Sequence, residues 1–266
     1  MKLPTSKPLR KIFPAFLKAR LRKHISRKRI QSKYKSLQKS NKKLSPEEIF
    51  TRIYRNNEWG GEKGEFCSGA GSVDKNIVSS YIKTIREKAD TEQFKGLEFV
   101  DLGCGDFRIG SHLVDLSSKY TGVDIVKPLI KRNQKLFGNE KTNFLCLNIA
   151  EDDLPDGDVC FIRQVFQHMS NEQILKVLKK LHKYKWVFIT EHYPNDDMNI
   201  TPNLDKVPGG DIRVVFGSAV YLSEHPFNLN EDALEMVLKV RGTEIEDGVD
   251  PGFIITYLYK PNRLTN

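Results

Sequence analysis

Between about residue 96 and residue 190, short apolar segments alternate with segments of helical periodicity, and this alternation restricts the fold more than any other feature. The apolar segments lie at 97–100, 120–123, 143–147, 158–162 and 186–190. Because polar residues are rare in these segments, they match strands that are buried on both faces of a sheet. The alternation therefore predicts an α/β fold, with a parallel sheet covered by helices on both sides.

Two of the intervening helices have recognisable ends. Pro128 suits the first turn of one helix, and Gly138 suits its end. Ser170 suits the N-cap of the other, because Gln173 stands three residues further on, as in a capping box. Clear helix boundaries between the apolar segments support the parallel arrangement.

The C-terminal region departs from this alternation. Its pattern predicts a helix near 231–240, followed by strands at 243–246 and 253–259, with Asp250, Pro251 and Gly252 between the two strands. Strands joined by so short a connection must be antiparallel. We therefore expect a mostly parallel sheet that ends in an antiparallel hairpin.

The positive charge of the chain is concentrated in its first 45 residues. They contain 16 Lys and Arg and no Asp or Glu, whereas the other 221 residues contain 27 basic and 34 acidic residues. Leu17, Leu21 and Ile25 recur at intervals of four and predict a basic amphipathic helix. Residues 1–45 are thus an arm that is partly disordered, lies on an anionic membrane surface or contacts nucleic acid.

Residues 46–95 form a second unit. The sequence Ser45-Pro46-Glu47-Glu48 is a capping box with proline at the first helical position, so a helix begins there. A stretch rich in glycine and serine follows at 59–72, and apolar residues at 77–85 then predict a second helix. We expect a helical cap whose glycine- and serine-rich segment folds over a ligand as a lid.

Polar residues follow the predicted strands, and in open α/β sheets ligands bind at that edge. Asp101 ends the first strand, and Gly103 and Gly105 allow a tight turn and close approach to a ligand. A dinucleotide fingerprint needs a third glycine where Arg108 stands, so pyrophosphate binding is disfavoured. Asp124 ends the second strand, where a carboxylate can accept hydrogen bonds from both hydroxyls of a ribose.

The segment from 98 to about 192, with Asp101, Gly103 and Gly105 after one strand and Asp124 after the next, resembles the core of class I S-adenosylmethionine (SAM)-dependent methyltransferases. The resemblance implies a Rossmann-like, seven-stranded fold over residues 96–262. It differs at Phe107, where many members have a third glycine. The cofactor residues that it implies are Asp101, Gly103, Gly105, Asp106, Asp124, Asn148, Ile149 and Arg163.

The flanking sequences are similar to bacterial methyltransferases associated with surface-polysaccharide synthesis. The motifs are Trp59-Gly60-Gly61, Ser68-Gly69-x-Gly71-Ser72, Thr190-Glu191-His192 and Pro202-Asn203-x-Asp205-Lys206. This resemblance implies O-methylation of a sugar hydroxyl in a glycan or glycolipid precursor. The residues expected to bind that substrate are Trp59, Ser68, Ser72, Asn203 and Arg213.

Methyl transfer to a hydroxyl requires an aligned acceptor, exclusion of water and a base that removes the proton. The candidate catalytic residues at the active edge of the sheet are His168, Glu191 and His192. Glu191, His192 and Asp205 also have the ligand types of a divalent-cation site. We do not favour a metal, and SAM is the expected cofactor.

Two other functions stay open at this point. An RNA methyltransferase would use the basic arm for phosphate contacts, although the acidic body makes nucleic acid the less favoured partner. A non-catalytic SAM-binding scaffold is the other. The sequence has no apolar stretch long enough for a membrane span, and its four cysteines are scattered, so we expect a cytoplasmic protein, peripheral to the inner membrane surface if the arm binds lipid.

Overall fold

The chain forms one seven-stranded sheet with helices on both faces. The computed structural model describes residues 15–195, 199–243 and 250–261. The strands in the described residues are β1 (Glu98–Leu102), β2 (Lys119–Asp124), β3 (Thr142–Cys146), β4 (Val159–Arg163), β5 (Trp186–Tyr193), β6 (Leu234–Arg241) and β7 (Phe253–Tyr259). Their spatial order is β3-β2-β1-β4-β5-β7-β6. The first five are mutually parallel, and β7 is antiparallel to both β5 and β6. The predicted mostly parallel sheet with a terminal antiparallel hairpin is confirmed.

Five α-helices occur in the described residues: α1 (Ala15–Asn41), α2 (Pro46–Arg55), α3 (Lys75–Thr91), α4 (Lys127–Phe137) and α5 (Asn171–Leu178). The capping boxes predicted at Ser45 and Ser170 are both formed, and Gly138 is the C-cap of α4. Local sequence signals were therefore sufficient to place these helix ends.

Both faces of the sheet are buried, as the apolar strands predicted. On one face, strand residues such as Val100 and Ile162 pack against Ile174 and Val177 of α5. The other face is rich in aromatic residues, and α3 covers it. On that face, the rings of Phe161 and Phe188 on adjacent strands are stacked 5.5 Å apart.

The strand order reverses direction at β1, whose neighbours are β2 on one side and β4 on the other. One chain connection leaves β1 toward β2, and the later connection crosses back to β4. A crevice opens beyond the carboxyl ends of the strands at such a switch point, which is where ligands bind in open α/β sheets. The fold thus brings the ends of β1, β2 and β4 to one place.

The helix predicted near 231–240 is wrong, because residues 234–241 form β6. The register of β6 against β7 shifts between Met236 and Leu238, which is a β-bulge. The bulge lets the consecutive residues Val237 and Leu238 both pack on the core. Apolar residues at 234, 237 and 238 then have the spacing of a helix. The strand predicted at 243–246 lies largely outside the described residues.

The prediction of a separate arm for residues 1–45 needs correction over residues 24–41, which are docked on the body. Ile30 of α1 is buried against Val215. The side chains of Arg27 and Gln31 both donate to the Val215 carbonyl oxygen, at 2.9 and 2.8 Å. Gln38 and Asn41 extend the contact along the helix to Asp211 and the Pro208 carbonyl oxygen.

Of the apolar stripe predicted for the arm, only Ile25 has a described side chain. The side chains of Leu17 and Leu21 lie outside the described residues, and Ile25 is exposed. No helix in the described part of the chain is long and apolar enough to cross a membrane.

Candidate functional site

A cavity of about 370 Å³ lies at the carboxyl ends of the strands. Its volume is within the range of small-molecule and cofactor sites, roughly 300–1,000 Å³. All five parallel strands contribute a residue within two positions of their carboxyl ends, namely Asp101, Asp124, Asn148, Arg163 and His192. The structure thus brings together the polar strand ends that the sequence singled out.

The turn after β1 is held by Asp124. One carboxylate oxygen accepts the N–H of Gly105 at 3.1 Å, and the other accepts the N–H of Val126 at 3.0 Å. Gly103 and Gly105 both have a left-handed backbone, with φ of +81° and +54°. A Cβ on Gly103 would lie 2.4 Å from Val165, and one on Gly105 would lie 2.3 Å from Ser68. Both positions therefore require glycine.

Phe107, which stands where many class I methyltransferases have a third glycine, also has a left-handed backbone, with φ of +63°. A bulky residue in this conformation is strained, at a cost of roughly 1–3 kcal/mol. Its ring is buried in edge-to-face contacts with Tyr120 and Phe144, which offset that cost. The backbone path typical of glycine is therefore kept by packing.

The glycine- and serine-rich segment is hydrogen-bonded directly to the glycine turn after β1. The Ser68 hydroxyl accepts the N–H of Asp106 at 2.8 Å, and the Asp106 carboxylate accepts the N–H of Ser68 at 3.3 Å. Tyr54 of α2 contacts the same hydroxyl at 3.0 Å. Ser68, expected to bind the substrate, thus lies at the glycine turn, where it closes the cavity.

Arg163 connects the end of β4 to this segment. It donates to the Gly71 carbonyl oxygen at 2.6 Å, approaches the Ser72 hydroxyl, and stacks 5.2 Å from the centre of the Tyr81 ring. Its Nε is buried and has no hydrogen-bond partner among the described residues. Burial lowers the pKa of Arg163, with Tyr81 and Asp101 opposing the shift. The cavity wall thus contains a buried N–H donor that has no partner among the described residues.

The carboxyl groups of the cavity are strongly desolvated. Burial raises the pKa of Asp101 to about 7, although a hydrogen bond from Tyr120 opposes the shift. Burial likewise raises the pKa of Asp124 to about 6, against its backbone hydrogen bonds. Both groups would be more stable as anions beside a bound cation.

Asn148 and Ile149 follow β3 and line the cavity. The Asn148 side-chain oxygen accepts the N–H of Ala150 at 3.1 Å, and its backbone N–H donates to Asp152. The Asn148 side chain therefore shapes this turn as well as facing the cavity.

One wall of the cavity is aromatic. The Trp59 indole lies 5.0 Å from the His168 ring, and Phe50 lies 6.5 Å from it. Trp59 donates to the Gly210 carbonyl oxygen at 3.3 Å, which connects this wall to the loop at 206–213. Trp59 and His168 thus form one aromatic wall of the cavity.

Both cavity histidines are neutral at physiological pH. Burial lowers the pKa of His168 to about 3, and nearby Lys206 acts in the same direction. Burial also lowers the pKa of His192. The Nε2 of His192 lies 2.5 Å from the Pro251 carbonyl oxygen. A carbonyl oxygen only accepts, so Nε2 carries the proton and Nδ1 has the free lone pair.

Glu191 is placed behind the cavity wall and not on it. Its two carboxylate oxygens accept the N–H groups of Phe166 and Gln167, at 2.8 and 3.0 Å. Burial raises its pKa to about 8, against these hydrogen bonds and the nearby Arg213. Glu191 therefore supports the turn after β4.

Asn203 and Arg213, expected to bind the substrate, are not brought to the cavity. The Asn203 amide donates to the carbonyl oxygens of Tyr221 and His225, at 2.9 Å each. Arg213 is 2% exposed and donates to the carbonyl oxygen of Met169 at 2.8 Å. In this structure both side chains organise buried loops.

No group of three His, Cys, Asp or Glu side chains suited to a metal is found in the described residues. Asp205, considered as a ligand beside Glu191 and His192, instead accepts the N–H of Asn171 at 2.8 Å. It thereby supports the start of α5.

Sequence reasoning missed several residues at the site. Arg132 and Asn133 of α4 donate to the carbonyl oxygens of Asp106 and Gly105, at 3.0 and 2.8 Å. Gln167 and Tyr34 line the cavity. Only Gln167 carried a usable signal, because it adjoins His168 just after a strand.

Comparison with known proteins agrees with this geometry. Residues 100–184 match the family described as "Methyltransferase domain". The fold is similar to that of the N-methyltransferase NodS from Bradyrhizobium japonicum WM9 in complex with S-adenosyl-l-homocysteine, at 10% identity over 72% of this chain and 91% of that chain, with a TM-score of 0.51. A SAM-dependent methyltransferase from Clostridium acetobutylicum ATCC 824 aligns at 15% identity over 69% and 91%, with a TM-score of 0.46. No curated protein matches the sequence.

The predicted Rossmann-like fold is therefore confirmed, and residues 100–184 within it match a methyltransferase domain. The matched family covers the segment from β1 to the end of the turn after α5, which includes the glycine turn and the ends of β2, β3 and β4.

Proposed function

We propose that this protein is a SAM-dependent methyltransferase that methylates a sugar hydroxyl of a glycan or glycolipid precursor. The observation that carries the proposal is the cavity itself, which is lined by a glycine turn, polar strand ends and an aromatic wall. A methyltransferase needs a site for the cofactor and an adjoining site for the acceptor, because the two must meet in a closed space.

The charges of the cavity suit SAM, which carries a sulfonium, an ammonium and a carboxylate group. Asp101 and Asp124 provide negative charge, and the unpartnered Nε of Arg163 suits the carboxylate. Asp124 retains lone pairs for ribose hydroxyls after accepting two backbone N–H groups. Asn148 and Ile149 would then face the adenine.

When bound, SAM supplies a methyl group on a positively charged sulfur. A hydroxyl that accepts this methyl group must lose its proton to a base. His192 is the proposed recipient, through Nδ1. Its lowered pKa is no obstacle, because an alkylated hydroxyl is a much stronger acid than an imidazolium.

The aromatic wall supports a sugar acceptor. Trp59 and Phe50 offer ring faces beside His168, and such faces suit the apolar faces of sugar rings. Trp59 is fixed by its hydrogen bond to Gly210, so the surface is rigid before an acceptor arrives.

The test uses methyl-labelled SAM, purified protein and extracts of cells that lack the gene. The extracts are fractionated into polysaccharide, lipid, protein and RNA. We expect label in polysaccharide or glycolipid, with a 14-dalton increment on sugar residues. Label confined to RNA or protein would contradict the glycan acceptor, and failure to bind SAM would contradict the whole proposal.

The affinity for SAM should depend on pH through Asp101 and Asp124. With pKa values of about 7 and 6, both carboxyl groups lose charge as the pH falls from 8 to 6. We expect SAM to bind on the order of tenfold more weakly at pH 6 than at pH 8, as measured by calorimetry. Asp101→Asn should flatten the upper part of this curve. An affinity that rises toward pH 6 would contradict the placement of these groups.

The proposed partner of α1 is an anionic membrane surface. Docking uses the side of the helix that carries Ile30, Gln31 and Gln38, which leaves Lys28, Lys35 and other basic residues exposed. A fixed helix with an exposed basic side matches a layer of acidic headgroups. This would hold the enzyme where lipid-linked glycan precursors occur.

Vesicle sedimentation tests this partner. Replacing Lys28, Lys35 and Lys39 by Gln should weaken binding to vesicles of equal phosphatidylglycerol and phosphatidylcholine by about 100-fold, at about 1 kcal/mol per residue. The matched control replaces three exposed lysines of α4, at 127, 131 and 135. Equal losses in the two variants would show general charge attraction and contradict a specific role of α1.

A further inference from the structure

Gln167 carries a buried hydrogen-bond acceptor that the protein does not use. The residue is 4% exposed and lines the cavity. Its side-chain oxygen, Oε1, is buried and has no partner among the described residues. Because an unpaired buried oxygen costs free energy, native proteins rarely keep one without a ligand or water to match it.

The orientation of this amide follows from His168. The Nδ1 of His168 lies 3.0 Å from the Gly209 carbonyl oxygen, so Nδ1 carries the proton and Nε2 is an acceptor. The Gln167 side chain lies 3.3 Å from that Nε2, and its contact must be the amide nitrogen. The same nitrogen is 3.5 Å from the Gln164 carbonyl oxygen. Oε1 is therefore on the side of the amide group that faces away from His168 Nε2 and the Gln164 carbonyl oxygen.

The position of His168 indicates which ligand Oε1 would serve. The His168 ring lies beside Trp59, Phe50 and the Gly209 carbonyl, which belong to the aromatic wall of the cavity. Gln167 thus lies beside the wall that, under the proposed function, contacts the acceptor.

We propose that Gln167 is an acceptor-positioning residue, whose Oε1 accepts a hydrogen bond from a hydroxyl next to the one that is methylated. The proposal rests on the proposed function, and it narrows the substrate to a sugar with adjacent hydroxyl groups. Gln167 orients the acceptor and takes no proton from it. His168, through its bonds to Gln167 and Gly209, holds the amide in this orientation.

The same arrangement makes α1 part of the acceptor site. Gln38 and Asn41 bond to Asp211 and Pro208, which flank Gly209 in the 206–213 loop. Lys206 of this loop donates to the Gln167 backbone carbonyl oxygen at 3.3 Å. The docked helix therefore supports the loop on which the orientation of His168 and Gln167 depends.

Gln167→Met and Gln167→Glu test the role, with the wild-type protein beside them. Met keeps the length of the side chain and removes both polar atoms, whereas Glu keeps an acceptor oxygen. In the labelled-SAM assay, we expect Met to raise the KM for the acceptor about tenfold and Glu to raise it less than threefold. The dissociation constant of SAM, from calorimetry, should change less than twofold in both, and thermal melting checks that both variants fold.

Two outcomes would overturn this role. One is a SAM dissociation constant that rises in Gln167→Met as much as the acceptor KM does, because Oε1 would then serve the cofactor. The other is an unchanged acceptor KM in that variant. The assay follows label into every fraction, so the effect of Gln167 can be measured even if wild-type activity falls on RNA or protein and the glycan proposal fails.

Discussion

Gly105→Ala is expected to weaken SAM binding severely while leaving the protein folded. The new methyl group would lie 2.3 Å from the Ser68 hydroxyl oxygen and 3.3 Å from the Tyr54 hydroxyl. The turn must then move, which removes both the Asp124–Gly105 hydrogen bond and the Ser68–Asp106 pair. We expect a loss in affinity of about 100-fold or more, corresponding to about 3 kcal/mol, measured by calorimetry.

Gly96→Ala is the matched control for this variant. Gly96 has a left-handed backbone with φ of +78°, but a Cβ there would meet no atom within 4 Å. Both substitutions should cost roughly 1–2 kcal/mol of folding stability through backbone strain. Only Gly105→Ala should affect SAM. Equal affinities in the two variants would refute the cofactor role of the turn.

A second substitution separates the clash from a direct loss of cofactor contact. Ser68→Gly removes the nearest atoms to the new methyl group. If the clash is the cause, Gly105→Ala combined with Ser68→Gly should bind SAM at least tenfold more tightly than Gly105→Ala alone. No recovery would mean that the alanine blocks the cofactor itself.

The glycine turn and the strand ends around it could be predicted because their signals are local. Gly103 and Gly105 stand within four residues of Asp101, and Asp124 ends the next strand. A βα repeat brings such strand ends to one edge of the sheet whatever the rest of the chain does. Sequence order alone was therefore sufficient to relate these residues in space.

The aromatic wall and the loop beside it could not be predicted in the same way. They depend on pairs that are distant in sequence, such as Trp59 with Gly210, 151 positions apart, and Gln38 with Asp211, 173 positions apart. No spacing rule relates these residues. Docking of α1 depends on the same kind of contact, which is why a basic segment resembled a free arm.

Asn203 and Arg213 show a further limit. A polar side chain in a long loop has the same appearance in a sequence whether it binds a ligand or pairs with buried backbone groups. Here both side chains are buried beside backbone carbonyl groups that need donors. Asn203 and Arg213 provide them, so the structure favours a packing role over the predicted contact with substrate.

Glu191→Ala is expected to cause the largest loss of stability among single substitutions at the site. Glu191 is 1% exposed, and its removal leaves the buried N–H groups of Phe166 and Gln167 without acceptors. It also removes the carboxyl group beside the buried Arg213. We expect the free energy of unfolding to fall by about 3 kcal/mol, measured by chemical denaturation. Glu98→Ala is the control, because Glu98 is half exposed and pairs loosely with Lys119, so its loss should cost less than about 1 kcal/mol.

Glu191→Gln distinguishes a supporting role of Glu191 at the turn after β4 from a role as general base. Either role is compatible with a loss of stability in Glu191→Ala, so that variant alone does not separate them. The amide keeps the size of the side chain and one acceptor oxygen, and it cannot take a proton from an acceptor hydroxyl. If Glu191 only supports the turn that carries Gln167 and His168, kcat should stay within about tenfold of wild type at a temperature where the variant is folded. A general base contributes about 10²–10⁴-fold, so a loss of that size would make Glu191 the catalytic base in place of His192. Because its two oxygens already accept backbone N–H groups and it lies behind the cavity wall, we expect the smaller change.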